Sequence, residues 1–315
     1  MCLVAEKNHF WLTLQNSNLV PDKEEKGVHI PVMVKEAFSI LIAESKIKKG
    51  VIIDSTVGTG GHLFYFLKNS SPDITFLGID IDPDAIKFSQ NLFQGFRNVI
   101  IRRGNYINLA EIVKELNLYS VIGVLFDFGV SKFQLESPKR GFSFQREGPL
   151  DMRFSQEGRT ALDLISKANC QELERILLNY GEESDYKRIA QAIIRERGKI
   201  KTTFDLRNLI TRVVKRNDKR KLARVFQALR LAVNSELENV ERGIERALPL
   251  LTEGGRIVTI SYHSLEDRIV KRILKEKEKQ GKISILTKKP IRPTRAEVEK
   301  NPSSRSAKLR AGEII

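Results

Sequence analysis

The sequence predicts an α/β protein built on a doubly wound parallel sheet that an inserted all-helical domain interrupts. Up to residue 127, short apolar runs alternate with helical patterns, as βαβ units require. Three of those runs end on an aspartate. More than a hundred residues then separate the fourth run from the fifth, far more than one crossover needs, and their pattern is helical.

Strands are expected at 51–54, 74–80, 98–102, 121–127 and 256–261, with helices over 64–68 and 83–93. Asp54, Asp80 and Asp127 each close a strand. Ligands of open α/β sheets bind outside the carboxyl ends of the strands, so three acids at three such ends mark one rim of one crevice. Beyond residue 138 the apolar positions Leu173, Ile176, Leu177 and Tyr180, then Ile189, Ile193 and Ile194, fall on helical faces. A longer stripe runs from Leu222 through Phe226, Val233 and Val240 to Leu248 at spacings of three and four. It leads through Gly254-Gly255 into the last strand, which assigns it to the α/β core. The expected organisation is a poorly ordered extension over 1–27, a core of 28–137 and 222–288, a helical insertion over 138–221, and a basic segment over 289–315 that packs on the core or on RNA.

Hydrophobic residues make up 41% and charged residues 30%, with no apolar run of bilayer-spanning length, so a soluble protein without a membrane partner is expected. The first 27 residues lack the apolar segment and cleavage site of a secretory signal. Cys2 and Cys170 are far apart and share no ligand spacing with the four histidines, so neither a disulfide scaffold nor a metal site is predicted, and a reducing cytoplasm fits. The net charge of +15 is unevenly placed: residues 268–310 hold 15 Lys or Arg against 4 Glu, the electrostatic footprint of a polyanion-binding surface. Within it, the alternating Lys275 to Lys279 also reads as a solvated helix face.

The densest chemical signal is Asp54-Ser55-Thr56-Val57-Gly58-Thr59-Gly60-Gly61-His62, between the first strand and its helix. Glycines there let a ligand touch the backbone. Leu63 stands where a dinucleotide fingerprint has its third small residue, so a pyrophosphate cofactor fits poorly. Asp80, twenty residues after Gly60, is placed to accept hydrogen bonds from both hydroxyls of an adenosyl ribose, while Asp82 caps the helix opening at Pro83. Asp127 either orients a substrate amine or only binds cofactor. Arg140, Phe142 and Phe144, followed by Arg153, suit stacking on an extruded base and pinning of phosphate, or anchoring of their own loop. His62 and His263 read as helix-start or buried structural residues.

These motifs resemble the bacterial 16S rRNA (cytosine-N4)-methyltransferase family known as RsmH or MraW. The likeness is carried by His29-Ile30-Pro31-Val32-Met33, Gly58-Thr59-Gly60-Gly61-His62, Asp127-Phe128-Gly129-Val130-Ser131 and Arg140-Gly141-Phe142-Ser143-Phe144. The segments 148–153, 180–183, 226–230, 261–268 and 301–310 continue it in the same order. The resemblance implies a class I S-adenosylmethionine-dependent methyltransferase fold acting on the exocyclic N4 of a cytidine in the decoding centre, with 16S rRNA of the small ribosomal subunit as partner. By position it implies cofactor contacts at Gly60, Gly61, His62, Asp80, Tyr106, Asp127 and Gln134, with RNA contacts expected at Arg140, Phe142, Phe144, Arg153, Arg305, Lys308 and Arg310. Tyr106 stands where the family commonly has Phe, Lys132 where it has Ser, and Ser55 where it has Gly. An NAD-dependent dehydrogenase and a non-catalytic RNA-binding assembly factor are the competing readings. Leu63 and the basic tail oppose the first, and the intact Gly58, Gly60, Gly61, Asp80 and Asp127 oppose the second. A monomer and a homodimer are both open.

Overall fold

The computed structural model describes residues 31–214 and 218–315; the extension over 1–27 lies outside them. Seven strands form one sheet: β1 Gly50–Asp54, β2 Ile74–Asp80, β3 Val99–Arg103, β4 Val121–Asp127, β5 Leu251–Ser261, β6 Ile283–Ile285 and β7 Lys308–Ile314. Their order is β3-β2-β1-β4-β5-β7-β6. The first five are parallel, and β7 runs antiparallel to both β5 and β6. The continuous apolar runs of β1, β2 and β4 follow from burial on both faces. Ile52, Phe76 and Leu125 enter one apolar cluster, and Ile53, Leu77 and Val124 the other.

The chain leaves β1 for β2 and β3 on one side and returns to β4 on the other, which opens a crevice at the carboxyl ends of β1 and β4. Register sets its rim: Asp54 lies level with Gly78 and with Leu125, so Asp80 and Asp127 each stand two residues further out.

The helices of the core are α1 Val34–Phe38, α2 Gly61–Asn69, α3 Pro83–Leu92, α4 Leu109–Glu115 and α5 Lys132–Glu136. Then follow α6 Ala161–Lys167, α7 Cys170–Asn179, α8 Tyr186–Glu196, α9 Thr203–Val214 and α10 Lys219–Asn234, which share a third apolar cluster. Finally come α11 Glu236–Ala247, α12 Ser264–Lys279 and α13 Arg295–Lys300. Side-chain caps start three of the inserted helices: Thr160 with Asp163 in a capping box, Asn169, and Asp218.

Two expectations change. The stripe over 222–248 is two helices, broken at Ser235 with φ 48°. Val225, Phe226 and Leu229 of α10 pack in the helical cluster, whereas Val240, Ile244 and Ala247 of α11 pack on the sheet. The change from insertion to core therefore falls at Ser235. Spacings of three and four continue across the break, so periodicity alone does not register it.

The second concerns Lys308 and Arg310, expected at RNA: the basic C-terminal segment packs on the core and contributes a strand inside the sheet. Leu309 and Ala311 are fully buried, and Arg310 is 7% exposed. Arg310 Nε donates to Asp267 Oδ1 at 2.7 Å, and Lys308 Nζ to Asp267 Oδ2 at 3.2 Å. Burial pushes the Asp267 carboxyl up, but Arg310 and then Lys308 outweigh it and hold it below the usual carboxylate range. Removing Arg310 leaves that carboxylate buried beside one partial partner. Arg310→Ala is expected to destabilise the protein by about 3–5 kcal/mol in urea unfolding; a change under about 0.5 kcal/mol would show that the pair does not hold β7 in place.

Candidate active site

The loop after β1 is organised by backbone contacts that glycine permits. Gly60 has φ 87° and caps α2; a Cβ there would lie 2.7 Å from the Phe93 ring. Gly58, with φ 52°, turns its N–H onto Asp80 Oδ2 at 2.9 Å. Asp80 Oδ1 accepts the N–H of Asp82 at 2.9 Å. The two amides fix the carboxylate at the mouth of the crevice, and each oxygen retains a further lone pair for a ligand. Burial nevertheless raises the Asp80 carboxyl to about 6.

Asp54 is buried more deeply, at 2% exposure. Its Oδ1 accepts the Thr56 N–H at 3.1 Å, while Oδ2 has no hydrogen-bond partner among the described residues. Burial, opposed by His62, brings this carboxyl to about 7. Both acids bind protons more tightly folded than unfolded, so the stability they contribute is full below 3.8 and is lost as pH rises through about 6 to 7. A cationic ligand in the crevice would relieve that cost.

Asp127 forms the opposite wall. Its N–H donates to Thr56 Oγ1 at 2.7 Å, and its Oδ1 accepts the Tyr262 hydroxyl at 2.8 Å. Oδ2 faces His62 Nδ1 at 3.8 Å. His62 Nε2 lies 2.9 Å from the Val32 carbonyl, which can only accept, so Nε2 carries a proton. Burial lowers the His62 pKa, and the Asp54 charge opposes that shift.

Tyr106 stands edge-on to Phe126 with ring centroids 5.5 Å apart. A Cβ on Gly243 would meet its ring at 2.5 Å, so glycine on α11 makes room for it. Gln134 completes a capping box with Ser131 and donates from Nε2 to Asp82 Oδ2 at 2.7 Å. Asp82 caps α3 as expected. A cleft of about 680 Å³ is lined by Gly61, His62, Asp80, Tyr106, Asp127 and Gln134. Gly60, the remaining cofactor candidate, sits directly behind it as the α2 cap.

The residues expected at RNA are placed differently. Arg140 is 7% exposed, with Nη1 donating to Asp82 Oδ2 at 2.8 Å and Nη2 to the carbonyls of Arg153 and Phe154. Phe142 stacks on Phe154 at 5.4 Å, and Phe144 packs edge-on against Phe226 at 5.6 Å. In this geometry the loop is anchored by its own aromatics. Arg153 lines the cleft but gives Nε and Nη2 to Asp151 at 2.9 and 2.7 Å. Lys308 and Arg310 hold Asp267, as described above. Arg305 is exposed on the turn Pro302–Ser306, between the cleft-lining Ser303 and Ser306.

Sequence reasoning did not single out Tyr262, Arg230, Glu236 or Glu266, all of which line the cleft. Arg230 holds the 5% exposed Glu236 through Nε at 2.8 Å and Nη2 at 3.1 Å. His263 caps α12 in a capping box with Glu266, so its helix-start reading describes its place. Tyr262 follows the end of β5 much as Asp127 ends β4, and strand-end position was the available signal.

The profile of the MraW methylase family matches residues 26–315. Ribosomal RNA small subunit methyltransferase H of Coprothermobacter proteolyticus is 45% identical over 287 residues, covering 90% of this chain and 94% of that protein. The proteins of the same name from Persephonella marina and Thermotoga neapolitana are 42% and 41% identical. Each covers 91% of this chain, which in turn covers 99% and 96% of their lengths. By a profile spanning the fold and relatives above 40% identical along nine-tenths of its length, the chain belongs to the MraW methylase family.

Proposed function

We propose that this protein transfers a methyl group from S-adenosylmethionine to the exocyclic N4 of a cytidine in the decoding centre of the 16S rRNA. The observation that carries the reading is the convergence of Asp80, Asp127 and the 58–62 glycine loop on one cleft. The family and the names of its relatives support it. The substrate context we assign is the small ribosomal subunit in the cytoplasm. Among the described residues no helix is long and apolar enough to cross a membrane.

The residue set fits the cofactor: a ribose-facing carboxylate, a buried carboxylate with one oxygen unpartnered among the described residues, a helix N-terminus and an aromatic ring. Asp80 would accept from the ribose hydroxyls, and the Gly60 and Gly61 backbone with the start of α2 would receive the amino-acid end. Tyr106 would offer its ring to adenine. When bound, the sulfonium supplies an electrophilic methyl.

Asp127 accepts an N–H of the incoming amine, which orients the nitrogen lone pair and favours the positive charge that grows on nitrogen as the N–C bond forms and the methyl's bond to sulfur breaks, its electron pair staying on sulfur. The proton then rests on Asp127, whose Oδ2 lies 3.8 Å from His62 Nδ1. Reaching N4 requires the cytidine to leave its stack, at about a few kcal/mol, which phosphate contacts offset. Arg305, exposed beside the cleft rim, is the candidate for such a contact.

Cofactor affinity is expected to tighten from pH 5.5 to 7.5, because Asp80 near 6 and Asp54 near 7 must ionise to receive a cation. Calorimetry in two buffers of different ionisation enthalpy should show proton release near pH 6.5, and Asp80→Asn should weaken binding and reduce that release. Flat affinity, or tight NADH binding without S-adenosylmethionine uptake, would contradict the assignment. Arg305→Glu should weaken rRNA binding and lower the salt slope by about one while cofactor affinity stays unchanged; equal slopes would remove Arg305 from the interface.

A further inference from the structure

Asp127 can orient an amine only if its carboxylate plane is itself held. β4 and β5 run side by side with Asp127 level with Ile260, which brings Tyr262 over the end of β4. The Tyr262 hydroxyl donates to Asp127 Oδ1 at 2.8 Å. The tyrosine is itself fixed, since its N–H donates to Glu266 Oε2 at 2.9 Å and its ring edge closes on Gly129, where a Cβ would stand 3.7 Å away. Gly129 has φ 95°, a conformation that turns the chain after β4 away beneath the ring. Burial first, then the Asp127 charge, holds the Tyr262 pKa well above 10, so the phenol stays a donor across the working range.

We infer that Tyr262 is a positioning residue for methyl transfer: by engaging Oδ1 it sets the rotation of the Asp127 carboxylate, so that Oδ2, on the His62 side, meets the amine of the target base. The inference rests on the role assigned to Asp127. Tyr262 touches neither the methyl donor nor the nucleophile in this scheme. A purely structural tyrosine at the end of β5 would affect folding and cofactor uptake, whereas this one acts on the transfer step.

Tyr262→Phe tests it, because the ring is retained and only the hydroxyl is lost. Among the described residues, Asp54 and His62 also lie near Asp127 and stay in place. The single-turnover rate of methyl transfer to small-subunit rRNA is expected to fall about 10- to 100-fold, as for loss of a hydrogen bond to a charged group. S-adenosylmethionine affinity should match the parent, and the melting temperature should fall only by the small amount that one lost hydrogen bond entails. The acid limb of the rate profile should move to higher pH, since a carboxylate that loses a donor holds its proton more tightly. In an Asp127→Ala background the second substitution should add no further loss.

A parental rate with an unmoved acid limb would overturn the inference, as would equal losses in cofactor affinity and rate. A slow Asp127→Ala beside a parental Tyr262→Phe removes the role of Tyr262 alone. An Asp127→Ala enzyme that turns over at the parental rate removes the role of both.

Discussion

Three carboxylates at the carboxyl ends of neighbouring parallel strands, desolvated and close together, are the constraint around which this site is arranged. β2, β1 and β4 must lie in that order and register for Asp80, Asp54 and Asp127 to face one crevice. Burial first of all makes the charged forms unfavourable without ligand, which is why Asp54 and Asp80 hold protons to about 7 and about 6. The apolar faces of the sheet carry that cost. A ligand with positive charge and hydroxyl donors turns the same feature into binding energy, so the fold stores a preference for its cofactor in its strand-end carboxyls.

The helical insertion shares this polar network. Arg140 joins the start of α3, through Asp82, to the backbone at Arg153 and Phe154, while Gln134 donates to the same Asp82 oxygen. At the far side Glu182 receives Arg268 at 2.6 Å and Ser264 at 3.1 Å. Between them Asn234, just before the Ser235 break, donates to the Met152 carbonyl and accepts the Phe154 N–H. The insertion is therefore registered against the cofactor rim by directional bonds. Buried pairs such as Arg140–Asp82 add little net stability over apolar packing, so we assign them to geometry: they set where the insertion stands over the cleft.

Much of this was legible in the sequence for a physical reason. Strands buried on both faces must be continuous apolar runs, and an aspartate closing such a run has few functions apart from a strand-end site, so the five parallel strands and the three acids could be read directly. The misplacements have equally physical origins. β7 alternates Lys308, Leu309, Arg310 and Ala311, and its basic residues read as an RNA footprint because their buried partner, Asp267, lies 41 residues away in sequence. Ser235 breaks a helix without breaking its apolar period. Phe142 and Phe144 could stack on a base or on protein, and the choice was made by Phe154 and Phe226, whose proximity no local pattern reveals. Tyr262 was hidden in the same way, because its importance comes from β5 lying beside β4.

The most direct measurement is to incubate the purified protein with methyl-labelled S-adenosylmethionine and small ribosomal subunits from cells lacking the enzyme. Nuclease digestion and mass spectrometry then locate the label. The account predicts one labelled cytidine in the decoding centre, methylated at N4. Label on a ring carbon, on another base or nowhere, with cofactor binding intact, would contradict it.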